Sequence, residues 1–216
     1  MKRLIGLLMG VFSLTACATG TTNLTLGLAD DAVKPGVISE APARTLYLAE
    51  VTDERDPTRI DRIGNKRNGY GMVMGAVGTN EPVTDTVADT LTKTFEASGH
   101  KVVAEQDGAP LRVDAAVKTF WFDYKTGFVT VEFFGDIQIA LKVTDTATGA
   151  VVFDDIFKGY YSDKTGGGLS KTWTRVMDSA LADLSREISL SSDLLMVLEE
   201  TEEPAAADAP AEDTVS

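Results

Sequence analysis

The sequence predicts an α+β domain: a mixed, mostly antiparallel β-sheet of about four to six strands, with two main helices packed on one face. Three observations carry this. Along 128–144 the odd positions Val129, Val131, Phe133, Ile137, Ile139, Leu141 and Val143 are apolar, while Thr130, Glu132, Asp136, Gln138 and Lys142 alternate with them. Period two is the mark of a strand with one buried face. Along 81–98 Val83, Val87, Leu91 and Phe95 recur every four residues, and after Ser170 the residues Trp173, Val176, Met177, Ala180, Leu181, Leu184 and Ile188 follow spacings of three and four. Both are amphipathic helices. The turns at Thr126-Gly127 and Thr146–Gly149 are short enough to join antiparallel neighbours.

In chain order, Leu46, Leu48 and Val51 form a β-like run. A charged loop (Asp53, Glu54, Arg55, Asp56, Pro57) and the Gly-rich stretch 62–78 follow, where Asn68-Gly69 favours a turn in a hairpin or an Ω-type loop. The first helix has Asn80 as a cap, Pro82 in its first turn and Gly99 at its end. His100–Glu105 reads as a strand, so that strand, helix and strand can make a parallel crossover. Leu111, Val113, Ala115 and Val117 begin a three-stranded meander that continues through 128–144 and 150–161, and Gly135 inside it predicts a bulge. Ser170 caps the second helix, and a helical turn around Asp193–Leu198 closes the domain.

The N-terminus has a different character. Lys2 and Arg3 precede an apolar run, Leu4–Leu14, and then Leu14-Thr15-Ala16-Cys17. Charged, apolar and small-residue regions in this order make a secretory signal over residues 1–16. The apolar run is too short for the roughly 20 residues that a spanning helix needs. Cys17 is the only cysteine, so a disulfide has no partner to offer. The tetrapeptide resembles the bacterial lipobox, which implies acylation of Cys17 and durable membrane attachment, because two or more acyl chains hold a protein stably. Ala18 follows where an aspartate would favour the inner membrane in such lipoproteins, so the implied location is the cell outer membrane, lipid-anchored and facing the periplasm.

Residues 17–43, with Gly, Thr, Ala and Pro, read as lipidated cysteine and linker. Residues 44–198 read as one domain, and 199–216 as a disordered acidic tail. The chain carries 20 Lys and Arg against 33 Asp and Glu. Without Lys2 and Arg3 the net charge is about −15, and the folded part alone is about −8 because seven acids lie in the tail. Such a balance argues against nucleic acid as a partner.

The early Asp53 and Arg55, the stretch Ile63–Gly71, the helix begun by Pro82-Val83 and the closing Trp173–Ser185 helix resemble the YajG-like family of bacterial lipoproteins over most of 45–195. The resemblance implies an envelope location and a fold, and supplies no catalytic residues.

No constellation for chemistry emerges from the residues themselves. One histidine, His100, and one cysteine committed to lipid do not make a metal site or a nucleophile–histidine pair, so neither metal nor cofactor is expected and the protein reads as a non-enzyme. His100 reads as a helix-end or surface residue. The segment 166–172 resembles a phosphate loop only superficially, because Thr165 and Ser170 stand where glycine is required. Asp154-Asp155 and the loop acids offer carboxylate pairs of the kind that arise by chance in an acidic chain.

Two groups remain. Arg55, Arg59, Arg62, Lys66 and Arg67 fall within thirteen residues and suit an anion or partner, or else pair with Asp53, Glu54, Asp56 and Asp61. Phe120, Trp121, Phe122, Tyr124 and Phe134, with Phe128 and Phe133, cannot all face one way along strands, and form either a second small core or an apolar contact surface. The resulting expectation is a membrane-anchored binding or scaffolding protein with an envelope protein or amphiphile as partner. The alternative is an accessory for lipid or lipopolysaccharide transport and assembly, a fold-level analogy, followed by an envelope hydrolase.

Overall fold

The computed structural model describes residues 20–68, 70–106, 108–127, 129–166 and 170–201. The signal segment, Cys17, Gly69, Phe128, Gly167–Leu169 and the acidic tail beyond Thr201 lie outside the described residues. The fold is α+β, with one mixed eight-stranded sheet, more strands than expected, and three helices. The strands are β1 (Thr22–Leu24), β2 (Thr45–Asp53), β3 (Gly64–Arg67), β4 (Val73–Thr79), β5 (Lys101–Val103), β6 (Leu111–Thr126), β7 (Val131–Asp145) and β8 (Val151–Thr165). The helices are α1 (Val83–Ala97), α2 (Ser170–Ser189) and α3 (Ser192–Glu200).

The long strand β6 organises the sheet. One edge pairs with β7 along its whole length, and β7 pairs with β8, giving the antiparallel meander. The other edge is shared: β2 runs parallel to residues 111–117, and β3 joins parallel at Gly64 opposite Phe122. Beyond β2 lies β5, also parallel, and beyond β3 come β4 and β1. The Gly-rich stretch is therefore a hairpin, β3–β4, in which Asn68 Oδ1 accepts from the backbone N–H groups of Tyr70 (3.0 Å) and Met72 (3.1 Å).

The core lies between the sheet and α1 and α2. Val83, Val87, Leu91 and Phe95 of α1 and Val176, Met177, Ala180, Leu181, Leu184 and Ile188 of α2 are buried against Leu111, Val113, Ile137, Ile139 and Leu141. Each such fully buried aliphatic or aromatic side chain contributes about 1.5–3 kcal/mol. A polar seam joins the helices: Thr94 Oγ1 bonds both the Thr90 carbonyl (2.7 Å) and Ser185 Oγ (2.7 Å), which satisfies buried hydroxyls without breaking the packing.

The structure corrects several expectations. The part of residues 17–43 read as linker that is described belongs to the fold: Leu24, Leu28 and Ile38 are at most 2% exposed, and β1 pairs with β4. Helix α1 begins at Val83 with no side-chain cap; Asn80 instead donates to Thr25 Oγ1 at 2.7 Å, spending its amide on the N-terminal segment. Gly135 sits in unbroken register, and the bulge on β6 lies between Val117 and Thr119. A Cβ at Gly135 would meet Met177 Sδ at 2.9 Å and Ala180 Cβ at 3.1 Å, so this glycine admits a helix to the sheet. Asp154 and Asp155 are neighbours in β8 and point to opposite faces, so they form no convergent pair.

His100 is buried at the end of α1, not surface-exposed. Its Nε2 faces the Ile38 carbonyl at 3.1 Å and its Nδ1 accepts the Arg44 N–H at 3.3 Å, partners that assign the proton to Nε2. The ring thus pins the N-terminal segment to β2. Burial pushes its pKa below the ordinary 6.5, opposed by the Ile38 bond and reinforced by Arg44. A depressed histidine leaves the unfolded state binding more protons as pH falls below about 6.5, so stability is highest above that value and declines beneath it. Urea titrations between pH 7.5 and 5 should show this loss. His100→Ala should remove that slope and cost about 2–3 kcal/mol at neutral pH by stranding two buried backbone groups.

Candidate functional site

The shared edge of β6 leaves a gap between β2 and β3, and residues 54–63 bridge it. Glu54 N–H donates to the Val117 carbonyl (3.0 Å) at one side, and the Ile63 carbonyl accepts from Phe122 N–H at the other. Between these points β6 bulges at Lys118, which is itself paired with Glu54. The bulge exchanges the faces of β6: Leu111, Val113, Ala115 and Val117 are buried before it, and Phe120 and Phe122 after it. Trp121 consequently turns to the face opposite the helices, beneath the bridging loop.

Arg55 is the internal tie of that loop. It is 7% exposed, forks onto Asp53 (Nε to Oδ1 2.8 Å, Nη2 to Oδ2 2.7 Å), and donates to the carbonyls of Arg62 (2.9 Å) and Ile60 (3.0 Å). Its guanidinium holds the Asp53 carboxyl below the usual range. Asp56 caps the turn Pro57–Arg59 by accepting from Thr58 N–H (2.9 Å) and Oγ1 (2.8 Å). These bonds aim Arg59 at the sheet, where its guanidinium carbon stands 4.9 Å from the centroid of Trp121.

The result is a cleft of about 300 Å³ lined by Thr58, Arg59, Arg62, Asn65, Arg67, Trp121 and Asp123. Arg67 engages Asp123 through Nε and Nη2 (each 3.3 Å) and the Gly71 carbonyl through Nη1 (3.2 Å), and the carboxylate raises its pKa. Arg62 gives Nε to Asp61 at 3.0 Å. Arg59 presses on the Trp121 ring, and Asp56 feels its charge. Three guanidiniums, an amide, a hydroxyl and an indole face, against the single carboxylate of Asp123 that Arg67 engages, suit a planar or tetrahedral anion.

Of the five cations singled out in the sequence, Arg59, Arg62 and Arg67 meet in this cleft. Arg55 does not, because it is consumed inside the loop, and Lys66 does not, because its Nζ turns toward β1 and bonds Thr22 Oγ1 at 3.1 Å. The aromatic group also divides. Phe120 and Phe122 belong to the main core, neither a second core nor a contact surface, with Phe122 packed on Phe133 and Trp173. Tyr124 exchanges hydrogen bonds with the Arg67 backbone, accepting its N–H at 2.6 Å and donating to its carbonyl. Phe134 lies on the helix-free face beside Tyr160 (6.3 Å), with Lys125 Nζ 5.2 Å above its ring. Asn65, Thr58 and Asp123 carried no separate signal in the sequence; the β3–β6 pairing brings Asn65 and Asp123 to the cleft, and the turn Pro57–Arg59 brings Thr58. Among the described residues no group of three or more His, Cys, Asp or Glu is arranged to hold a metal.

Fold and site thus define an α+β sheet domain, covered by helices on one face and bearing an arginine–tryptophan cleft at a gap in its central strand. No family model and no curated protein matches the chain. Among solved structures it is similar to protein XCC0632 from Xanthomonas campestris, of family DUF330, with a TM-score of 0.58 at 14% identity, covering 82% of this chain and 97% of that one. It is more remotely similar to lipoprotein GNA1162 from Neisseria meningitidis, with a TM-score of 0.35 at 9% identity, covering 67% of this chain and 99% of that one. The first likeness establishes a shared fold; the second is too distant to bear on fold or activity.

Proposed function

We propose that the protein is a lipid-anchored lipoprotein of the bacterial envelope, held at the outer membrane and facing the periplasm, with a non-enzymatic binding or scaffolding role. The Leu14–Cys17 motif and the resemblance to YajG-like lipoproteins support the anchor. The gathering of Arg59, Arg62 and Arg67 in one cleft, with Arg59 over the Trp121 ring, carries the binding role. The partner presents an anionic group to the cleft. The cleft presents three guanidiniums and one carboxylate, Asp123, that is engaged by Arg67, an arrangement suited to recognising a charged group.

This reading is preferred to lipid handling because the cleft is polar and the interface between sheet and helices is filled by Phe95, Leu91, Ile137 and Leu184. A photo-crosslinking residue at Thr58 in membrane-resident protein should capture a discrete partner, and one at the exposed Met196 should not. Combined Arg59→Ala and Trp121→Ala should reduce the Thr58 adduct by at least about tenfold, as removal of central Arg and Trp anchors does elsewhere. Equal adducts at both positions, or an adduct indifferent to the two substitutions, would count against the cleft.

A further inference from the structure

Three uncharged stretches of this acidic chain meet at one end of the sheet. Residues 17–29, 68–80 and 126–131 carry no Asp, Glu, Lys or Arg, although the chain holds 33 acids. Parallel pairing of β3 with β6 sets the turn at 68–72 beside the turn at 126–130, and the Tyr124–Arg67 bonds lock that register. β1 runs parallel to β4, with Thr22 opposite Val77, and Gly20 lies against Gly75, so the chain enters the fold from this same end.

The side chains displayed there are apolar and open. Tyr70 is 91% and Val129 77% exposed, Met72 and Val73 are more than half exposed, and Met74 stands beside them. Large apolar side chains gathered in this way on a soluble domain mark a contact surface. Of the charges bordering them on the β3 and β6 sides, Lys66 and Arg67 precede one turn and Lys125 the other; Arg67 is paired with Asp123, and Glu132, which follows the second turn, is paired with Lys164.

We propose that this end is a lipid-docking surface, in which Tyr70, Met72, Val73, Met74 and Val129 enter the boundary between headgroups and acyl chains while Lys125 faces lipid phosphates. The inference rests on the reading of Cys17 as the acylated residue. Two residues, Ala18 and Thr19, separate Cys17 from Gly20, so the three Cα–Cα steps limit its reach to about 11 Å from that glycine, which brings the bilayer to these turns rather than to any other face. A tyrosine with apolar neighbours and flanking cations is the composition that settles at a membrane interface. Docking there gives the anchored domain a fixed orientation. The cleft at Trp121, five residues along β6 from Thr126, then opens roughly 17 Å above the lipid.

The test uses exported full-length protein reconstituted in phosphatidylethanolamine–phosphatidylglycerol vesicles. With Cys17 acylated, a cysteine at Met72, Val129, Val152 or Met196 is the one free thiol for an environment-sensitive dye. Dyes at M72C and V129C should shift to the blue and be quenched several-fold more by lipids carrying a shallow nitroxide than dyes at V152C and M196C. Equal, water-like emission at all four sites overturns the proposal. So does a tip shielded from aqueous iodide yet unquenched by nitroxide lipid, because protein then covers it. Failure of the anchor is read separately: an unacylated Cys17 takes a second dye, and docking still requires the contrast between sites in whatever protein floats with vesicles. Protein that neither carries acyl chains nor floats overturns both.

Discussion

Gly159→Ala should destabilise the domain by about 3 kcal/mol or more, lowering the thermal midpoint by roughly 10 °C, or prevent folding. Gly159 lies in β8 where α2 crosses it. A Cβ there would stand 2.2 Å from the Ala180 carbonyl oxygen, 2.6 Å from Leu184 Cβ and 2.7 Å from Leu184 N. These are atoms of the helix backbone and its root, which cannot rotate aside, so the whole helix must lift. Lifting it opens the contacts of Val176, Met177, Ala180 and Leu184 with the sheet. Gly27→Ala is the control, because nothing lies within 4 Å of its would-be Cβ; it should be neutral or stabilise by about 0.4–1 kcal/mol. Calorimetry on the two variants separates close approach from any general intolerance of alanine for glycine.

Arg55→Ala should cost about 3–4 kcal/mol, whereas Arg59→Ala should leave stability nearly unchanged. Removing Arg55 strands the Asp53 carboxylate and two backbone carbonyls in a little-hydrated loop, the situation in which deleting one member of a buried pair is most expensive. Arg59 rests on the indole with its outer edge open to the cleft, so its loss forfeits at most about 0.5–1 kcal/mol of stability while weakening the site. Chemical denaturation beside partner capture distinguishes these roles. Loss of stability in both variants, or in neither, contradicts the division of the loop into a tie and a binding group.

The sequence makes the helices and the meander legible because their burial is periodic. Every residue of the α1 stripe is buried as its spacing requires, and β7 keeps one parity from Phe133 to Val143. What could not be read followed from contacts distant in the chain. Residues 22–43 look like a linker, yet they fold because β4 offers an edge to β1 and α3 and His100 hold Ile38. Gly135 looks like a strand defect and is, with Gly159, a seat for a helix, a distinction that exists only once α2 is placed.

The candidate site was half visible for a similar reason. The cationic run was plain, but which of its members are free depends on where Asp53, Asp123 and Thr22 arrive from other strands. The separation of Trp121 from Phe120 and Phe122 depends on one inserted residue in β6. Its trace is the shift of apolar residues from odd positions through Val117 to even ones from Phe120.

The central claim is that this domain works while fixed to a membrane through Cys17, and the mass of the native N-terminus tests it most directly. Protein extracted from the membrane fraction and digested should yield an N-terminal peptide that begins at Cys17 and carries the mass of a diacylglyceryl group with a further acyl chain. A peptide that begins at Met1, or a mature one whose Cys17 still reacts as a free thiol, would contradict it.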